Sequence, residues 1–482
     1  MSCRKFFILN RTTVLRTSKT FSYEARRFLS ERKLPLTQFL WHEFEKAKYT
    51  AEKELQLHPI SANAIFANNQ LDLAGINVYG FDYDYTLAIY TKDVNVLIYE
   101  LAMAKLIDNY KYPAGIAEVA YDPTFPIRGL HYDINRGLIL KLDAFCQLQL
   151  GAVYRGKQPV SNDEVRAHFN GTHVPRQEVE AKNGYQSVRQ LMDFFSLPEL
   201  GLISNVTEFF RANNITYNPE SLFNDIEETV RSIHLSGQLY GGIMSDQDRY
   251  VHKAPDLKIF FERIRAAGKV TFLLTNSPFP FVDAGMTYMV GSDWRSLFDY
   301  IMVRARKPAF FEDFDKPFRV YSKETDRLSW AEVTRLEGDE IYAEGNVAKF
   351  LDLANLRDQN VLYFGDHVYS DLAEPVIKHG WRTAAIVPEL KREISIMNSY
   401  EFRSCIAKQQ ALTLLIDTHQ DEAMRSAEGT DILQKWHQER DTCRRIAKTY
   451  FNEHFGSAFR TYHNPTYFSR CIMRFADVYT SA

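Results

Sequence analysis

The sequence has 482 residues, of which 45% are hydrophobic and 25% are charged. This composition is ordinary for globular proteins and excludes a fibrous or largely disordered chain. Because a domain has roughly 150 residues, the length predicts about three domains. With 58 basic and 61 acidic side chains the net charge is −3, so the chain lacks the global basic field that favours nucleic-acid binding. No apolar run reaches the roughly 20 residues that a membrane-spanning helix needs.

The first 33 residues differ in composition from the rest. Up to Tyr23 there are five basic side chains and no acidic one, with hydroxyl residues among short apolar stretches. An acid-poor, basic and mildly amphipathic segment is typical of a mitochondrial transit peptide; a disordered basic tail is the alternative. We therefore predict that residues 1–33 direct the chain to mitochondria, with the matrix as the expected destination and the cytoplasm as the alternative.

Hydrophobic periodicity divides the following chain into helices and strands. Up to residue 267 the predicted elements are a helix at 36–57, a strand at 76–81, a helix from about Asp93 that stops by Pro113, strands within 129–154 and a mostly helical stretch at 179–267. Four short β-rich apolar runs then alternate with helical stretches, at 270–274, 300–303, 361–364 and 383–387. Buried parallel strands have this composition, and their alternation with helices predicts an open α/β sheet. A hairpin is predicted at 318–330, and the last 90 or so residues return to helix.

The five cysteines are widely spaced and odd in number, and none forms a Cys-x-x-Cys pair. They are Cys3, Cys146, Cys405, Cys443 and Cys471. This pattern disfavours a disulfide framework and a zinc site, and it favours a reducing compartment.

Polar residues follow four of the predicted strands at their carboxyl ends. Ligands of open α/β sheets bind just beyond these ends, so side chains that follow different strands should converge there. In chain order they are Asp82, Asp84 and Thr86, then Thr275, Asn276 and Ser277, then Lys307, and last Asp366 and Asp371. Each segment alone is ordinary, since such residues also form turns and helix caps. Their succession at four strand ends predicts one polar site.

These residue types suit phosphoryl transfer. A carboxylate can attack phosphorus and form an aspartyl phosphate, and a second carboxyl can protonate the leaving oxygen and later deprotonate the attacking water. A hard cation, with Mg²⁺ as the expected ion, would hold the phosphate against several carboxylates. Donors at Thr275 and Asn276 can fix phosphate oxygens, and Lys307 can offset charge in the transition state.

The pattern resembles the haloacid dehalogenase superfamily of phosphohydrolases. The resemblance is carried by Asp82-x-Asp84-x-Thr86, Thr275, Lys307 and Gly365-Asp366-x-x-x-x-Asp371. Within the superfamily, the chain is similar to the cytosolic purine 5'-nucleotidase family from about residue 76 to its end. The segments that carry this closer similarity are 80–88, 121–130, 275–277, 305–308, 363–367 and 473–479. With its basic leader, the chain resembles most the 5'-nucleotidase domain-containing branch that is placed in mitochondria.

The resemblance implies a Rossmann-like parallel-sheet core with a large inserted cap and a C-terminal helical region, together with Mg²⁺-dependent removal of phosphate from nucleoside monophosphates. The implied boundaries are 34–75 for an N-terminal helical arm, 76–110 and 255–395 for the core, 111–254 for the cap and 396–482 for the C-terminal helical region. It also suggests that the chain self-associates as a homo-oligomer.

The resemblance further assigns roles to individual residues. Asp82 would be the nucleophile and Asp84 the acid and base, with Thr275 and Lys307 as further catalytic residues. Asp82, the backbone carbonyl of Asp84 and Asp366 would hold Mg²⁺, with Asp371 in support. Thr86 and Asn276 would contact the substrate.

The segments that would bind the base depart from the family pattern. Phe195 stands where the family places a stacking phenylalanine, but Glu227 replaces an arginine and Arg231 an aspartate, while Leu235 replaces a tyrosine and Tyr240 a lysine that helps hold phosphate. A Glu and an Arg four residues apart on a helix can form an ion pair, yet they would offer a purine different donors and acceptors. Two hypotheses therefore stay open. The chain is a Mg²⁺-dependent phosphomonoesterase, expected to be a 5'-nucleotidase, or it is a binding or regulatory protein that keeps the fold with negligible turnover.

Overall fold

The structure, a computed structural model, describes residues 35–54, 59–180 and 186–481. The predicted transit peptide therefore lies outside the described residues. The helices are α1 Leu36–Glu54, α2 Asp93–Asp108, α3 Asn162–Phe169, α4 Arg176–Glu180, α5 Ser196–Ala212, α6 Pro219–Leu235, α7 Gln238–Ser245, α8 Gln247–Tyr250, α9 Asp256–Ala266, α10 Phe279–Met289, α11 Ala309–Glu312, α12 Val347–Leu353, α13 Glu374–His379, α14 Glu389–Asn398, α15 Tyr400–Ala423, α16 Ala427–Phe451 and α17 Tyr467–Phe475, with a π-helical turn at Val368–Ala373. Among these described helices, none combines the length and the apolar character needed to cross a membrane.

Most of the strands lie in segments that were predicted as strands, and several short ones do not. They are β1 Phe66–Ala67, β2 Val78–Phe81, β3 Leu130–Asp133, β4 Leu138–Leu142, β5 Leu148–Arg155, β6 Gln158–Pro159, β7 Val188–Leu191, β8 Val270–Leu274, β9 Tyr300–Val303, β10 Phe318–Ser322, β11 Arg327–Leu328, β12 Ile341–Glu344, β13 Val361–Gly365, β14 Arg382–Ile386 and β15 Val478–Thr480.

The chain forms two compact units. The first combines residues up to Phe66 with 388–463 and Ser481. Its core lies between three long helices, where aromatic side chains of α1 and aliphatic side chains of α15 pack with Trp436 of α16. Apolar residues three or four apart place this contact on one face of each helix. The prediction of a helical C-terminal region is confirmed.

The second unit contains the sheet that positions the site. Its ten strands lie in the order β1-β15-β14-β13-β2-β8-β9-β12-β10-β11, and all neighbours from β15 to β12 run parallel. The predicted apolar runs form β8, β9, β13 and β14, so the predicted parallel α/β core is confirmed. The chain leaves β2 toward β8 on one side and returns to β13 on the other, which places the topological switch point at the carboxyl end of β2.

Two short strands interrupt the stretches that were predicted as mostly helical, and these strands were missed. Within the stretch 179–267, residues 188–191 form β7, which pairs antiparallel with β3. Near the end of the chain, residues 478–480 form β15, which pairs parallel with β14. Both are stabilised by their neighbouring strands, and runs of three or four residues are too short to show a period of their own.

A second sheet has five antiparallel strands in the order β6-β5-β4-β3-β7. The alternating pattern at 129–154 forms β3, β4 and β5, as predicted. This sheet lies between β2 and β8 in the sequence and within the range 111–254 predicted for the cap. The domain boundaries themselves stay a prediction.

Candidate active site

The carboxyl ends of the central strands meet at one edge of the parallel sheet. Phe81, the last residue of β2, pairs with Phe364 of β13 and with Leu273 of β8. The Asp82 amide then donates to the Phe364 carbonyl at 2.9 Å, and the Thr275 amide donates to the Met302 carbonyl of β9 at 3.0 Å. The segments that follow these strands therefore start side by side.

A buried ammonium group joins the acidic residues at this edge. Lys307 Nζ lies 2.7 Å from Asp82 Oδ1 and 2.6 Å from Asp371 Oδ1, and its third contact is the Tyr363 hydroxyl at 2.9 Å. That hydroxyl donates to the Leu274 carbonyl at 3.0 Å, so it accepts from the lysine. Because an ammonium group has three N–H bonds, each has a partner here. Lys307 is thus fixed between two carboxylates.

Three buried carboxylates lie together. Asp82, Asp366 and Asp371 each present an oxygen within 4.8 Å of the oxygens of the other two. Burial raises the pKa of Asp82 and of Asp366, because the charged form loses its hydration. Mg²⁺ and similar hard cations prefer sites in which every ligand atom is oxygen and in which carboxylates supply the negative charge. These residues therefore fit a divalent cation.

Two hydroxyl donors orient the Asp84 carboxyl. Its Oδ1 accepts from the Tyr90 hydroxyl and its Oδ2 from the Ser277 hydroxyl, each at 2.6 Å. Burial raises the pKa of Asp84, and these two hydrogen bonds lower it to a smaller extent. A raised pKa suits a carboxyl that must carry a proton near neutral pH. A role in metal binding would fall to its backbone carbonyl, as the resemblance implied.

Asn276 positions Lys307. Its side-chain oxygen accepts from the Lys307 amide at 2.6 Å, and its side-chain nitrogen donates to the Lys307 carbonyl at 3.1 Å. Both polar atoms of the Asn276 side chain thus hydrogen-bond to the backbone of Lys307, a contact that sequence reasoning missed. The predicted substrate contact would fall to the Asn276 backbone amide. Thr275 Oγ1 accepts from the Ser277 amide at 3.0 Å, which leaves the hydroxyl hydrogen of Thr275 free to donate.

The Thr86 hydroxyl oxygen is buried, and among the described residues it has no hydrogen-bond partner. A buried hydroxyl without a partner is energetically unfavourable. A ligand oxygen at this position would satisfy it, which fits the predicted role of Thr86 in substrate binding.

A cavity of about 380 Å³ lies beside Asp84. Its walls include Phe195, His234, Tyr240 and Phe281. The edge of the Phe195 ring meets the His234 ring with centroids 4.6 Å apart. The predicted stacking residue therefore does line a cavity next to the candidate acid.

Glu227 and Arg231 do not line this cavity. Both are exposed on α6, and Arg231 Nη2 pairs with Glu228 Oε2 at 3.3 Å. Arg231 thus pairs with the glutamate three residues before it, where a pair with Glu227, four residues before it, was the possibility raised by the sequence. Both spacings place the two side chains on one face of a helix. The structure thus does not bring these two predicted substrate-binding residues to the site.

Sequence reasoning also missed Arg128 and Tyr363. Arg128 lies within segment 121–130 and Tyr363 within segment 363–367, both of which had marked the family resemblance. Arg128 contacts Asp366, and Tyr363 contacts Lys307. Membership of these segments was a signal that the two side chains matter, but their partners depend on the tertiary fold.

We expect Gly365→Ala to disturb the acidic cluster. A Cβ atom at Gly365 would lie 2.2 Å from Asp371 Cβ, which is far inside van der Waals contact, so the Asp371 backbone must move. Overpacking of this kind typically lowers the free energy of unfolding by about 1–3 kcal/mol. Denaturant unfolding and a titration with Mn²⁺ would measure both effects. Gly241→Ala is the control, because a Cβ there meets nothing within 4 Å; equal behaviour of the two variants would contradict the steric argument.

The parallel sheet, its switch point and the Asp and Lys residues gathered there define an α/β protein with a buried acidic site at the carboxyl ends of its strands. Residues 65–482 match the sequence model of the 5' nucleotidase family, and the chain belongs to this family. It is 47% identical over 424 residues to the 5'-nucleotidase domain-containing protein 2 of Rattus norvegicus, covering 87% of this chain and 76% of that protein. The Homo sapiens protein of the same name is also 47% identical, with 80% of its length covered. A 5'-nucleotidase domain-containing protein of Dictyostelium discoideum is 39% identical over 425 residues, covering 86% of this chain and 70% of that protein. The resemblance to the cytosolic purine 5'-nucleotidase family is thereby confirmed.

Proposed function

We propose that the protein is a Mg²⁺-dependent phosphomonoesterase that hydrolyses a nucleoside 5'-monophosphate or a related small phosphate ester. The observation that carries the proposal is the contact of Lys307 with both Asp82 and Asp371, next to Asp366. This arrangement places a candidate nucleophile, the ammonium group of Lys307 and the candidate ligands of a metal ion within one buried site. Asp82, Asp366 and Asp371 would hold Mg²⁺, which when bound would offset the charge of the phosphate.

In the first step an oxygen of Asp82 attacks phosphorus, and the bond from phosphorus to the leaving oxygen breaks. Asp84 gives its proton to that oxygen, so the alcohol leaves neutral. Lys307 stays next to the reacting carboxylate and offsets the charge that develops on the phosphoryl oxygens. The Thr275 hydroxyl and the Asn276 backbone amide are donors for the same oxygens.

In the second step the aspartyl phosphate is hydrolysed. Asp84, now ionised, takes a proton from water, and the water oxygen attacks phosphorus. The bond from phosphorus to Asp82 breaks, phosphate leaves, and Asp84 is protonated again. The Tyr90 and Ser277 hydroxyls orient Asp84 in both steps, since each donates to one of its oxygens.

The alcohol part of the ester, which leaves with the bridging oxygen, would occupy the cavity beside Asp84. The acid must be next to the leaving oxygen, so the remainder of the ester extends from there into the space lined by Phe195, His234 and Phe281. Aromatic walls suit a nucleobase or another flat group. Glu227 and Arg231 lie outside this space, so we do not propose purine specificity.

The second hypothesis, a binding or regulatory protein with negligible turnover, is favoured only by the altered cap residues. A phosphate-release assay over purine and pyrimidine mononucleotides and sugar phosphates would separate the two. With Mg²⁺ we expect release from at least one ester, loss of release with EDTA, and recovery when Mg²⁺ is restored in excess. The absence of chelator-sensitive release from every ester would refute the enzyme hypothesis.

We also propose that residues 1–33 direct the chain to mitochondria. They carry nine basic and two acidic residues, and the remainder has a net charge of −10, an asymmetry expected of a removable address. A fluorescent reporter fused to residues 1–33 should therefore accumulate in mitochondria. A diffuse cytosolic signal, equal to that of a fusion in which the basic residues are changed to Gln, would contradict the proposal. Self-association stays a prediction.

A further inference from the structure

Arg128 is a buried cation that the proposed reaction does not use. Its side chain has no exposed surface. The guanidinium carbon lies 4.1 Å from the centroid of the Phe194 ring and 4.8 Å from that of the Phe468 ring. Arginine is almost never fully buried unless its charge has a partner, so the position calls for a reason beyond packing.

Arg128 contacts Asp366, one of the three clustered carboxylates. Arg128 Nη1 donates to the Asp366 backbone carbonyl at 3.2 Å. The same nitrogen lies 3.7 Å from Asp366 Oδ2, which is beyond a normal hydrogen bond. The guanidinium thus hydrogen-bonds the main chain of Asp366, and its approach to the carboxylate is a longer ion pair without a hydrogen bond.

The loop that carries Asp366 is also fixed from its other side. The His367 amide donates to Asp371 Oδ2 at 3.2 Å, and the Asp371 amide donates to the His367 carbonyl at 3.1 Å. Two of the three clustered carboxylates therefore belong to one short loop, and Arg128 holds it from a different part of the chain. Groups that orient the ligands of a metal commonly affect metal affinity.

We propose that Arg128 is a positioning residue for a divalent cation at Asp82, Asp366 and Asp371, acting through the Asp366 backbone. The inference rests on the proposed function only in so far as this cluster binds a cation, and it does not require turnover. Two effects of Arg128 oppose each other: its charge repels a cation, whereas its hydrogen bond to the Asp366 carbonyl holds a ligand in place. We expect positioning to be the larger effect, because Arg128 makes its hydrogen bond to the Asp366 carbonyl and approaches the carboxylate only at 3.7 Å.

The experiment uses Mn²⁺ as the probe and measures the free ion by electron paramagnetic resonance with the purified full chain. Arg128→Lys keeps the charge but loses the planar, forked donor, and Arg128→Met removes both. We expect each to bind Mn²⁺ about 10- to 100-fold more weakly than the wild type. The control is Arg136→Met, since Arg136 also pairs with a carboxylate, Asp133 at 2.7 Å, and stacks on a ring, but does so away from the cluster. Its Mn²⁺ affinity should not change.

The outcomes separate the possible roles. If the charge alone mattered, Arg128→Met would bind Mn²⁺ more tightly and Arg128→Lys would bind as the wild type does; either result overturns the proposal. If Arg128 were merely structural, the variants would melt at lower temperature with unchanged Mn²⁺ affinity, which also overturns it. Should Arg128→Met fail to fold, Arg128→Lys decides alone. Arg128-dependent Mn²⁺ binding without phosphate release would refute the enzyme proposal and leave this one intact. If Arg128→Lys bound Mn²⁺ with wild-type affinity and the protein released phosphate in a Mg²⁺-dependent manner, the positioning proposal would be refuted and the enzyme proposal would stand.

Discussion

Asp82→Asn should abolish phosphate release while leaving the fold nearly intact. The amide has the shape of the carboxylate and can still accept from Lys307, but it is too weak a nucleophile to form the covalent intermediate. Loss of a nucleophile lowers kcat by roughly 10³-fold or more. Lys307 keeps Asp371 as its carboxylate partner in this variant, and the cluster of three buried carboxylates loses one charge that burial disfavours. We therefore expect a melting temperature equal to that of the wild type or higher.

The matched control is Asp133→Asn. Asp133 is also fully buried and pairs with an arginine, but it lies in the five-stranded sheet away from the cluster, so phosphate release should persist. When the wild type reacts with an ester labelled in its phosphoryl group and is rapidly quenched, label should be found on the protein. Asp82→Asn treated in the same way should carry no label. If Asp82→Asn still released phosphate and EDTA still inhibited that release, Asp82 would not be the nucleophile.

The edge at which the site forms could be predicted from the sequence for a physical reason. Strands buried on both faces are continuous apolar runs, and parallel strands joined through helices place their carboxyl ends at one edge. Polar residues directly after such runs, such as Asp82 and Thr275, must then lie near one another. No knowledge of side-chain packing was needed for this step.

The remaining features depend on contacts between distant parts of the chain. The short strands β7, β12 and β15 are strands only because a neighbour pairs with them, and a stretch of three or four residues shows no period by itself. The partners of Arg128 and Asn276 likewise follow from loops that the fold brings together. The exposure of Glu227 likewise did not follow from the spacing of apolar residues. Phe223, four residues before it, and Val230, three residues after it, are both buried in α6.

Lys307→Met should destabilise the protein more than the other changes considered at the cluster. Lys307 compensates two carboxylates, Asp82 and Asp371, in a site with almost no solvent. Removing one partner from a buried ion pair typically costs about 3–5 kcal/mol, since the other charge is left uncompensated. Phosphate release should be lost as well, because the charge on the phosphoryl group would no longer be offset. Denaturant unfolding would measure the first effect and the ester assay the second.

The destabilisation should depend on pH with a definite sign. Burial already raises the pKa of Asp82 in the wild type. Without the ammonium group the Asp82 carboxyl ionises still less readily, so its pKa in the folded Lys307→Met variant rises further above that of the unfolded chain. The folded variant then binds more protons than the unfolded one above about pH 4, and its stability falls as pH rises. The difference from the wild type should therefore be smaller at pH 5 than at pH 8, and excess Mg²⁺ should reduce it at pH 8.

The control for this experiment is Lys258→Met. Lys258 also pairs closely with a carboxylate, Asp293 at 2.6 Å, but both side chains are largely exposed, and exposed ion pairs contribute little because water and salt screen them. Its stability should follow that of the wild type at both pH values. A Lys307→Met variant as stable as the wild type at pH 8 without Mg²⁺ would mean that Lys307 does not compensate an ionised Asp82 in the native protein. In that case Lys307 could not be the group that keeps the nucleophile ionised, and the catalytic role proposed for it would be wrong.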